Sequence, residues 1–261
     1  ILNVTPDSFS DGGLYLDPDR AVDHALAMEA EGAAIIDVGG ESTRPVGATA
    51  VSVEVEMERV LPVIEALRSK LKVPISVDTR RAVVAGAALD EGAAIINDIS
   101  GLCHDPAMIS LAAETGCAVI LMHMRGGPTD HARHVRYRNV VAEVRDFLDR
   151  QARKAVVAGV RRSRIIVDPG LGFAKNAIHN LELVGGLSEI CALGYPVLIG
   201  ASRKRFIRAI AGAGESDLLM GNAALNALAI AAGASIIRVH EPGPMVAAMR
   251  MAVAVAKSSH G

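Results

Sequence analysis

The sequence predicts an α/β protein with the architecture of a (β/α)₈ TIM barrel, folded as a single domain over residues 1–261. Eight short runs rich in β-branched residues alternate with amphipathic segments of helical period, which is the pattern of successive βα units. Neither an antiparallel pattern nor a linker interrupts them, and 261 residues are enough for one barrel. Because periodicity cannot prove that a sheet closes, an open doubly wound sheet is the alternative.

Each predicted strand is an apolar run followed by a helical segment. The strands are expected at residues 1–4, 34–38, 74–77, 94–98, 118–122, 164–167, 196–199 and 235–239. Between them, apolar residues recur at spacings of three and four, as in segments 22–29 and 55–67, and this predicts helices. An internal repeat supports the count, because the sequence of residues 31–38 returns at 91–98 and, more loosely, at 232–239. Each copy is typical of a helix that ends at a glycine before a buried strand.

Composition favours a protein that binds small molecules. Apolar residues make up 51% of the chain and aromatic residues 3%, so aliphatic side chains must fill the core. A net charge of −2 with mixed signs gives no basic footprint for nucleic acid. We expect neither a membrane span nor a signal peptide, since the apolar runs are short. Cys103, Cys117 and Cys191 have neither disulfide nor zinc spacing, which favours a reducing compartment, the cytoplasm.

Polar residues stand where the predicted strands end. The active site of a TIM barrel lies at these carboxyl ends, where the βα loops begin. Packing does not explain why apolar strands should end in carboxylates, amides and bases. The residues are Asn3, Asp37, Asp78, Asn97, Asp98, His123, Asp168, Ser202 to Lys204, Arg238 and His240.

Asp78 and Asp168 each end an apolar strand, which would put two carboxylates on the rim of one cavity. Such a pair can accept hydrogen bonds from the N–H groups of a guanidine-like heterocycle, or stabilise a developing cation. The alternative is that each caps a turn or helix. For Asp168 this alternative has support, because Asp-Pro-Gly is good turn chemistry.

Cationic residues follow the last two predicted strands. Ser202, Arg203 and Lys204 come after the seventh strand, and Arg238 and His240 end the eighth, the region where barrels often bind phosphate. We interpret them as an anion clamp, with a solvated basic face as the alternative. Asn3 is a candidate ligand for a Mg²⁺ ion that bridges a diphosphate, because Mg²⁺ takes few protein ligands.

The other polar features have simpler interpretations. Segments 5–13 and 41–45 are polar loops on the same rim and are natural lids, although they could be ordinary connections. His123 lies at the rim but could equally be a core histidine. We found no Ser–His or Cys–His pair typical of an activated nucleophile. The remaining histidines are expected at the surface, and they are His24, His104, His131, His134, His179 and His260.

Taken together, these motifs resemble those of the dihydropteroate synthase family. The resemblance covers essentially the whole chain and keeps the family's motif order. It is carried by residues 1–13, 37–45, 76–79, 96–99, 121–124, 168–173, 202–204 and 237–240.

The resemblance implies condensation of 6-hydroxymethyl-7,8-dihydropterin diphosphate with 4-aminobenzoate, giving 7,8-dihydropteroate and diphosphate. It also implies a Mg²⁺ cofactor, a homodimer built on the late barrel helices, and a target of sulfonamides. The partners it implies are small-molecule substrates, with neither nucleic acid nor membrane.

The family's site residues transfer onto matching positions of this chain. The catalytic set is Asp78, Asp168, Lys204 and Arg238. The pterin pocket adds Asn97, Ile99, Met122, Phe173 and Gly200. The diphosphate matches Asn3, Thr43, Arg44, Arg238 and His240, with Asn3 also on the metal. The aminobenzoate pocket matches Phe9, Thr43, Arg44, Pro45, Ser202 and Lys204, and the two loops also carry Asp7 and Ser8.

Three positions depart from the family pattern. Val46 is an extra residue in the second loop, Ala174 replaces a glycine, and Glu241 stands where Asp is common. Val46 could alter aminobenzoate or sulfonamide binding. Two alternatives remain at this point. A pterin-binding methyltransferase domain should lack the Ser202–Lys204 and Glu41–Arg44 motifs that this chain has, and a non-catalytic paralogue would keep the pocket for binding only.

Overall fold

The computed structural model of the chain describes residues 1–5, 18–41, 51–127 and 131–258. Eight strands lie in these segments, all within two residues of their predicted positions: β1 Leu2–Asn3, β2 Ile36–Gly39, β3 Ile75–Asp78, β4 Ile95–Asp98, β5 Ala118–Met122, β6 Ile165–Asp168, β7 Leu198–Ile199 and β8 Ile236–Ile237. The predicted number and order of strands are therefore confirmed.

The helices of these segments follow the strands in alternation. They are α1 Pro18–Ala30, α2 Val53–Leu67, α3 Ala82–Asp90, α4 Ala107–Thr115, α5 Val140–Val157, α6 Ala177–Gly185, α7 Leu187–Cys191, α8 Arg205–Ala211, α9 Glu215–Ala231 and α10 Pro242–Ser258. The glycines of the internal repeat, Gly32, Gly92 and Gly233, have φ of +103°, +114° and +108° just beyond α1, α3 and α9. The repeat thus marks helix ends that need a left-handed residue, as predicted.

Parallel pairing joins the strands into a closed sheet. Strands β1 to β6 form one ladder in sequence order, and β7 pairs with β8. Val167 of β6 bridges to Val197, and its N–H donates to the Pro196 carbonyl at 3.0 Å. At the other seam, the backbone nitrogen of Ile1 donates to the Val239 carbonyl at 2.8 Å. The sheet closes on itself, so the predicted barrel is confirmed and the open sheet is wrong.

The barrel interior is filled in layers by residues that alternate along each strand. An apolar plug lies at its centre and contains Ile35, Ile95, Ala118, Ile120, Ile166, Leu198 and Ile236. The intervening residues, such as Ile96, Leu121 and Val167, point outward and are buried against the helices. Each fully buried aliphatic side chain of this kind stabilises the fold by about 1.5–3 kcal/mol. Two positions after the last plug residue of a strand, toward its carboxyl end, a second layer of inward-facing residues begins.

None of the helices in the described segments is both long and apolar enough to cross a membrane.

The backbone turns most tightly in the loop after β6. Gly170 and Gly172 have φ of +68° and +81°, and Ala174 has φ of +52°. A Cβ atom on Gly170 would lie 2.1 Å from the His123 carbonyl oxygen, far inside van der Waals contact. Glycine is required there both for its φ and for the space.

We expect Gly170→Ala to lower the free energy of unfolding by at least about 2 kcal/mol, because it adds a left-handed Ala and a steric clash. Urea denaturation measures this change. Gly185→Ala is the control, since Gly185 ends α6 and a Cβ there would have no atom within 4 Å. It should leave stability unchanged or raise it by up to about 1 kcal/mol. Equal stability of wild type and Gly170→Ala would show that the loop can move away from His123.

Candidate active site

A polar layer lies directly above the apolar plug at the carboxyl ends of the strands. On β2 and on β4 to β8, the residue two positions after the last plug residue of the strand faces the same mouth of the barrel. These residues are Asp37 of β2, Asn97 of β4, Met122 of β5, Asp168 of β6, Gly200 just after β7 and Arg238 just after β8. Asp78 of β3 joins them above the buried Ser76. Barrel geometry therefore brings together five of the predicted strand-end residues, namely Asp37, Asp78, Asn97, Asp168 and Arg238, whereas Asp98 is held by Ser100 and Leu102 of its own turn.

Arg238 is the centre of this layer. Its Nε donates to Asp37 Oδ2 at 2.6 Å and its Nη2 donates to Asp78 Oδ2 at 2.8 Å. Nη2 also lies 2.5 Å from Asp37 Oδ2 in an ion pair. Asn97 Nδ2 donates to the same Asp37 oxygen at 3.0 Å. One edge of the guanidinium group is thus held by two carboxylates. Nη1 donates to no residue in the part of the chain that the structure describes, and a guanidinium N–H of this kind can donate to an anion.

Burial controls the ionisation of the two predicted catalytic carboxyl groups. It raises the pKa of Asp78 to about 7, while Arg238 opposes the shift and Asp37 adds to it. Burial likewise raises the pKa of Asp168 to about 6, opposed by the Gly170 N–H, which donates to Asp168 Oδ1 at 2.7 Å, and by the cations Arg238 and Lys204. Carboxyl groups with such values can exchange hydrogen bonds and protons near neutral pH. Asp168 also caps its turn, so that interpretation is confirmed, while its role toward a ligand stays a prediction.

Lys204 lies over an apolar cluster beside the carboxylates. Its Nζ lies 4.0 Å from the centre of the Phe173 ring, and its stem leaves no room for a side chain on Gly172. Burial lowers its pKa to about 8. Phe173 packs with Ile99 and Met122 in one buried cluster. This arrangement of apolar faces beside polar groups suits a flat heterocycle with a polar edge.

Ser202 and His240 lie together at the other side of Arg238. His240 Nδ1 is 2.9 Å from Ser202 Oγ. The sequence analysis did not predict this contact, since it considered only a pair typical of an activated nucleophile. Burial, with the cations Arg203, Arg238 and Lys204 nearby, holds the pKa of His240 well below its ordinary value, so the ring is a poor base for activating a hydroxyl. Arg203 does not join this group, since it forms an ion pair with the exposed Glu241.

Asn3 lies at the end of β1 beside Gly39 of β2. A Cβ on Gly39 would be 3.8 Å from both Asn3 Oδ1 and Asp78 Oδ2, so an amide oxygen and a carboxylate oxygen lie next to the same glycine. Within the described residues there is no group of three His, Cys, Asp or Glu side chains with metal-binding geometry. An amide oxygen fits a Mg²⁺ ion that takes most of its ligands from a diphosphate and water.

Several predicted residues fall outside the segments that the structure describes. They are Asp7, Ser8, Phe9, Thr43, Arg44, Pro45 and Val46. Of the predicted aminobenzoate pocket, Ser202 and Lys204 are described. Glu41, just before the second loop, accepts from Arg80 Nε at 3.3 Å and lies 3.6 Å from Arg81 Nη2.

Three features were not found by sequence reasoning. Asp37 was recognised as a strand-end residue but given no role, although its place in the alternation was a usable signal. Lys175, buried among backbone carbonyls, carried no signal in the sequence. His131 was expected at the surface, and this is wrong, because it is buried, accepts from the Ala174 N–H at 3.1 Å and packs against Phe173. His123 is the core histidine of the two alternatives, buried edge-on against Phe147.

Comparison with known proteins agrees with this geometry. The family model described as pterin binding enzyme matches residues 1–240. The dihydropteroate synthase of Mycobacterium leprae is 49% identical over 258 residues, which cover 96% of this chain and 90% of that protein.

Solved structures agree as well. The Yersinia pestis dihydropteroate synthase in complex with a sulfonamide drug superposes with a TM-score of 0.93 at 40% identity, covering 98% of this chain and 92% of that one. The Xanthomonas albilineans dihydropteroate synthase with 4-aminobenzoic acid superposes with a TM-score of 0.89 at 44% identity, covering 97% and 90%.

The raised pKa of Asp168 has a consequence for stability. The folded protein binds this proton more tightly than the unfolded chain, so ionisation of Asp168 opposes folding above about pH 4, and fully above about pH 6. Asn cannot ionise, and its amide oxygen can still accept from Gly170. We expect Asp168→Asn to melt with wild type near about pH 4 and several degrees higher at about pH 7.5, by scanning calorimetry. A difference that does not change with pH would contradict this.

Proposed function

We infer that this chain, which belongs to the pterin-binding enzyme family and within it to the dihydropteroate synthases, condenses 6-hydroxymethyl-7,8-dihydropterin diphosphate with 4-aminobenzoate. The products are 7,8-dihydropteroate and diphosphate, and the enzyme is a transferase of folate biosynthesis. One observation on the chain itself carries the inference. Asp78, Asn97, Asp168, Lys204 and Arg238 all lie in the mouth of one barrel.

We propose that the pterin binds between the polar layer and the apolar cluster of Ile99, Met122 and Phe173. The N–H groups of its guanidine-like edge would donate to the carboxylates of Asp78 and Asp168, and Asn97 offers an amide that can both donate and accept. Ile99, Met122 and Phe173 would contact the ring faces. Gly200 ends its strand beside Arg238, where a Cβ would be 3.7 Å from Arg238 Cβ, and so leaves the ring room.

The diphosphate group is proposed to lie on the other side of Arg238. Nη1 of Arg238 faces it as the remaining donor of the guanidinium, and His240 and Asn3 lie at the ends of the two strands that meet at the barrel seam. Asn3 would hold a Mg²⁺ ion, which when bound neutralises charge on the leaving diphosphate. Thr43 and Arg44, from the second loop, complete this group in the family pattern.

The reaction requires no protein nucleophile. The bond from the pterin methylene carbon to the diphosphate oxygen breaks, and its electron pair leaves with the diphosphate. The positive charge that develops on the methylene is conjugated with the pterin ring, where Asp78 and Asp168 stabilise it electrostatically. The amine nitrogen of 4-aminobenzoate then forms the new C–N bond and loses a proton. The low pKa of His240 agrees with a role in binding instead of nucleophile activation.

The remaining proposals concern the oligomeric state, the cellular compartment and the aminobenzoate pocket. Large apolar side chains are exposed on α8, α9 and α10, among them Ile210, Met220, Leu228 and Met251, and they support a homodimer through the late helices. The three cysteines are unpaired, which supports the cytoplasm as the compartment. We propose that aminobenzoate, and sulfonamides that resemble it, bind beside Ser202 and Lys204 with Phe9, Thr43, Arg44 and Pro45.

The direct test is diphosphate release by the purified protein with Mg²⁺ and the pterin diphosphate. We expect release to depend on 4-aminobenzoate and to match formation of dihydropteroate, measured by chromatography. Pterin binding without turnover would favour the non-catalytic paralogue. A folded protein that neither binds the pterin nor turns over would contradict the proposed function altogether.

Arg238→Ala should raise the dissociation constant of the pterin diphosphate by at least about 100-fold, because it removes a charged donor and leaves Asp37 and Asp78 unpaired. Isothermal calorimetry measures the change. Arg153→Ala is the matched control, since Arg153 is exposed on α5 and pairs with Asp149 there. Unchanged affinity in the Arg238 variant would refute the assignment of this residue to the anion.

A further inference from the structure

Lys175 is a buried amine that the reaction does not use. Burial lowers its pKa to about 7, opposed mainly by the charge of Asp168, so the ammonium form persists up to about neutral pH. Its Nζ donates to the carbonyl oxygens of Phe173 at 2.8 Å, Gly170 at 3.0 Å and His123 at 3.3 Å, and lies 2.9 Å from His123 Nδ1. The residue is 7% exposed, and no carboxylate is among its hydrogen-bond partners. Lysines are almost never buried in this way unless their charge is satisfied locally.

The carbonyls around Lys175 converge because of the loop's unusual backbone. Gly170, Gly172 and Ala174 all have positive φ, so the chain between Asp168 and Lys175 winds back on itself. Ala174 adopts this conformation although it carries a Cβ, which is unfavourable without compensation. The ammonium group gives the inward carbonyls of Gly170 and Phe173 a shared donor.

This loop carries two of the groups assigned to the pterin. Asp168 begins it, and the Phe173 ring lies under Lys204. On the other side of the ammonium group, His123 directly follows Met122 at the end of β5. Lys175 therefore links the β5 end that bears Met122 to the loop that bears Asp168 and Phe173.

His123 completes the link as a neutral acceptor. Burial lowers its pKa to about 2, with Lys175 as the next largest cause. A neutral ring that accepts at Nδ1 carries its proton on Nε2. The ring also packs edge-on against Phe147 with centroids 4.9 Å apart, which fixes its plane.

We propose that Lys175 is a positioning residue for the pterin: its ammonium group fastens the Asp168–Ala174 loop to the end of β5 and so sets the distance between Phe173 and Met122. The inference rests on the proposed function. Lys175 touches no substrate, since all its donors go to the protein. Loss of the charge should loosen the pocket and weaken binding of the pterin while the barrel remains folded.

The test compares Lys175→Met, which keeps the length but not the charge, with wild type and with Lys154→Met, an exposed lysine on α5. We expect Lys175→Met to raise the dissociation constant and KM for the pterin diphosphate about 10- to 100-fold, and Lys154→Met to change neither. If Lys175→Met does not fold, Lys175→Arg replaces it. A planar fork cannot meet four acceptors around one point, so it should weaken binding as well.

Chemical rescue separates positioning by charge from a merely structural role. Propylammonium matches the atoms that Lys175→Ala removes, and it should restore pterin affinity, whereas 1-propanol of similar size should not. Weak binding that propylammonium fails to rescue, or Lys175→Met with wild-type affinity, would overturn the positioning role alone. Wild type that neither binds nor converts the pterin diphosphate would overturn the proposed function, and this inference with it.

Discussion

The structure depends on keeping Arg238 charged inside the barrel mouth. Transfer of a guanidinium group out of water is costly, and breaking such a buried pair costs about 3–5 kcal/mol. Here Asp37 and Asp78 share the charge, and Asn97 of β4 donates to Asp37 of β2 across the barrel mouth. Because one edge of the guanidinium is committed to the protein, the other is held ready for a ligand at little further loss of entropy. Asp37 thus has a part in the site through the position of Arg238.

The layered interior explains why sequence alone located most of this site. On β2, β4, β6 and β8 a polar residue of the layer follows an apolar plug residue by two positions, as Asn97 follows Ile95 and Arg238 follows Ile236. Strand order and barrel closure follow from regular alternation of short strands and helices, and the repeat at residues 31–38 and 91–98 gave the helix ends. These patterns lie within short segments, so they can be recognised in the sequence without knowledge of the fold.

What could not be predicted depends on backbone conformation in loops. Lys175 points inward because Gly170, Gly172 and Ala174 before it have positive φ, and the sequence of this segment does not indicate that backbone path. His131 is buried where it accepts from the Ala174 N–H, a contact that depends on the same loop. The Ser202–His240 contact arises between loops 38 residues apart that meet only when β7 pairs with β8. The Asp37–Arg238 contact likewise joins distant segments, which are 201 residues apart, and no pattern within either segment indicates the other.

The seam between β8 and β1 also determines when the site can exist. Asn3 belongs to the first strand and Arg238 and His240 to the last, and the carboxylates that hold Arg238 are 201 and 160 residues away along the chain. Contacts of such separation form late, after the loops between them have closed. During synthesis, the first seven strands can pair while the guanidinium still lies ahead in the sequence. The proposed anion-binding half of the mouth therefore forms only after β8 has joined the barrel. A molecule that binds there recognises only protein whose barrel has closed.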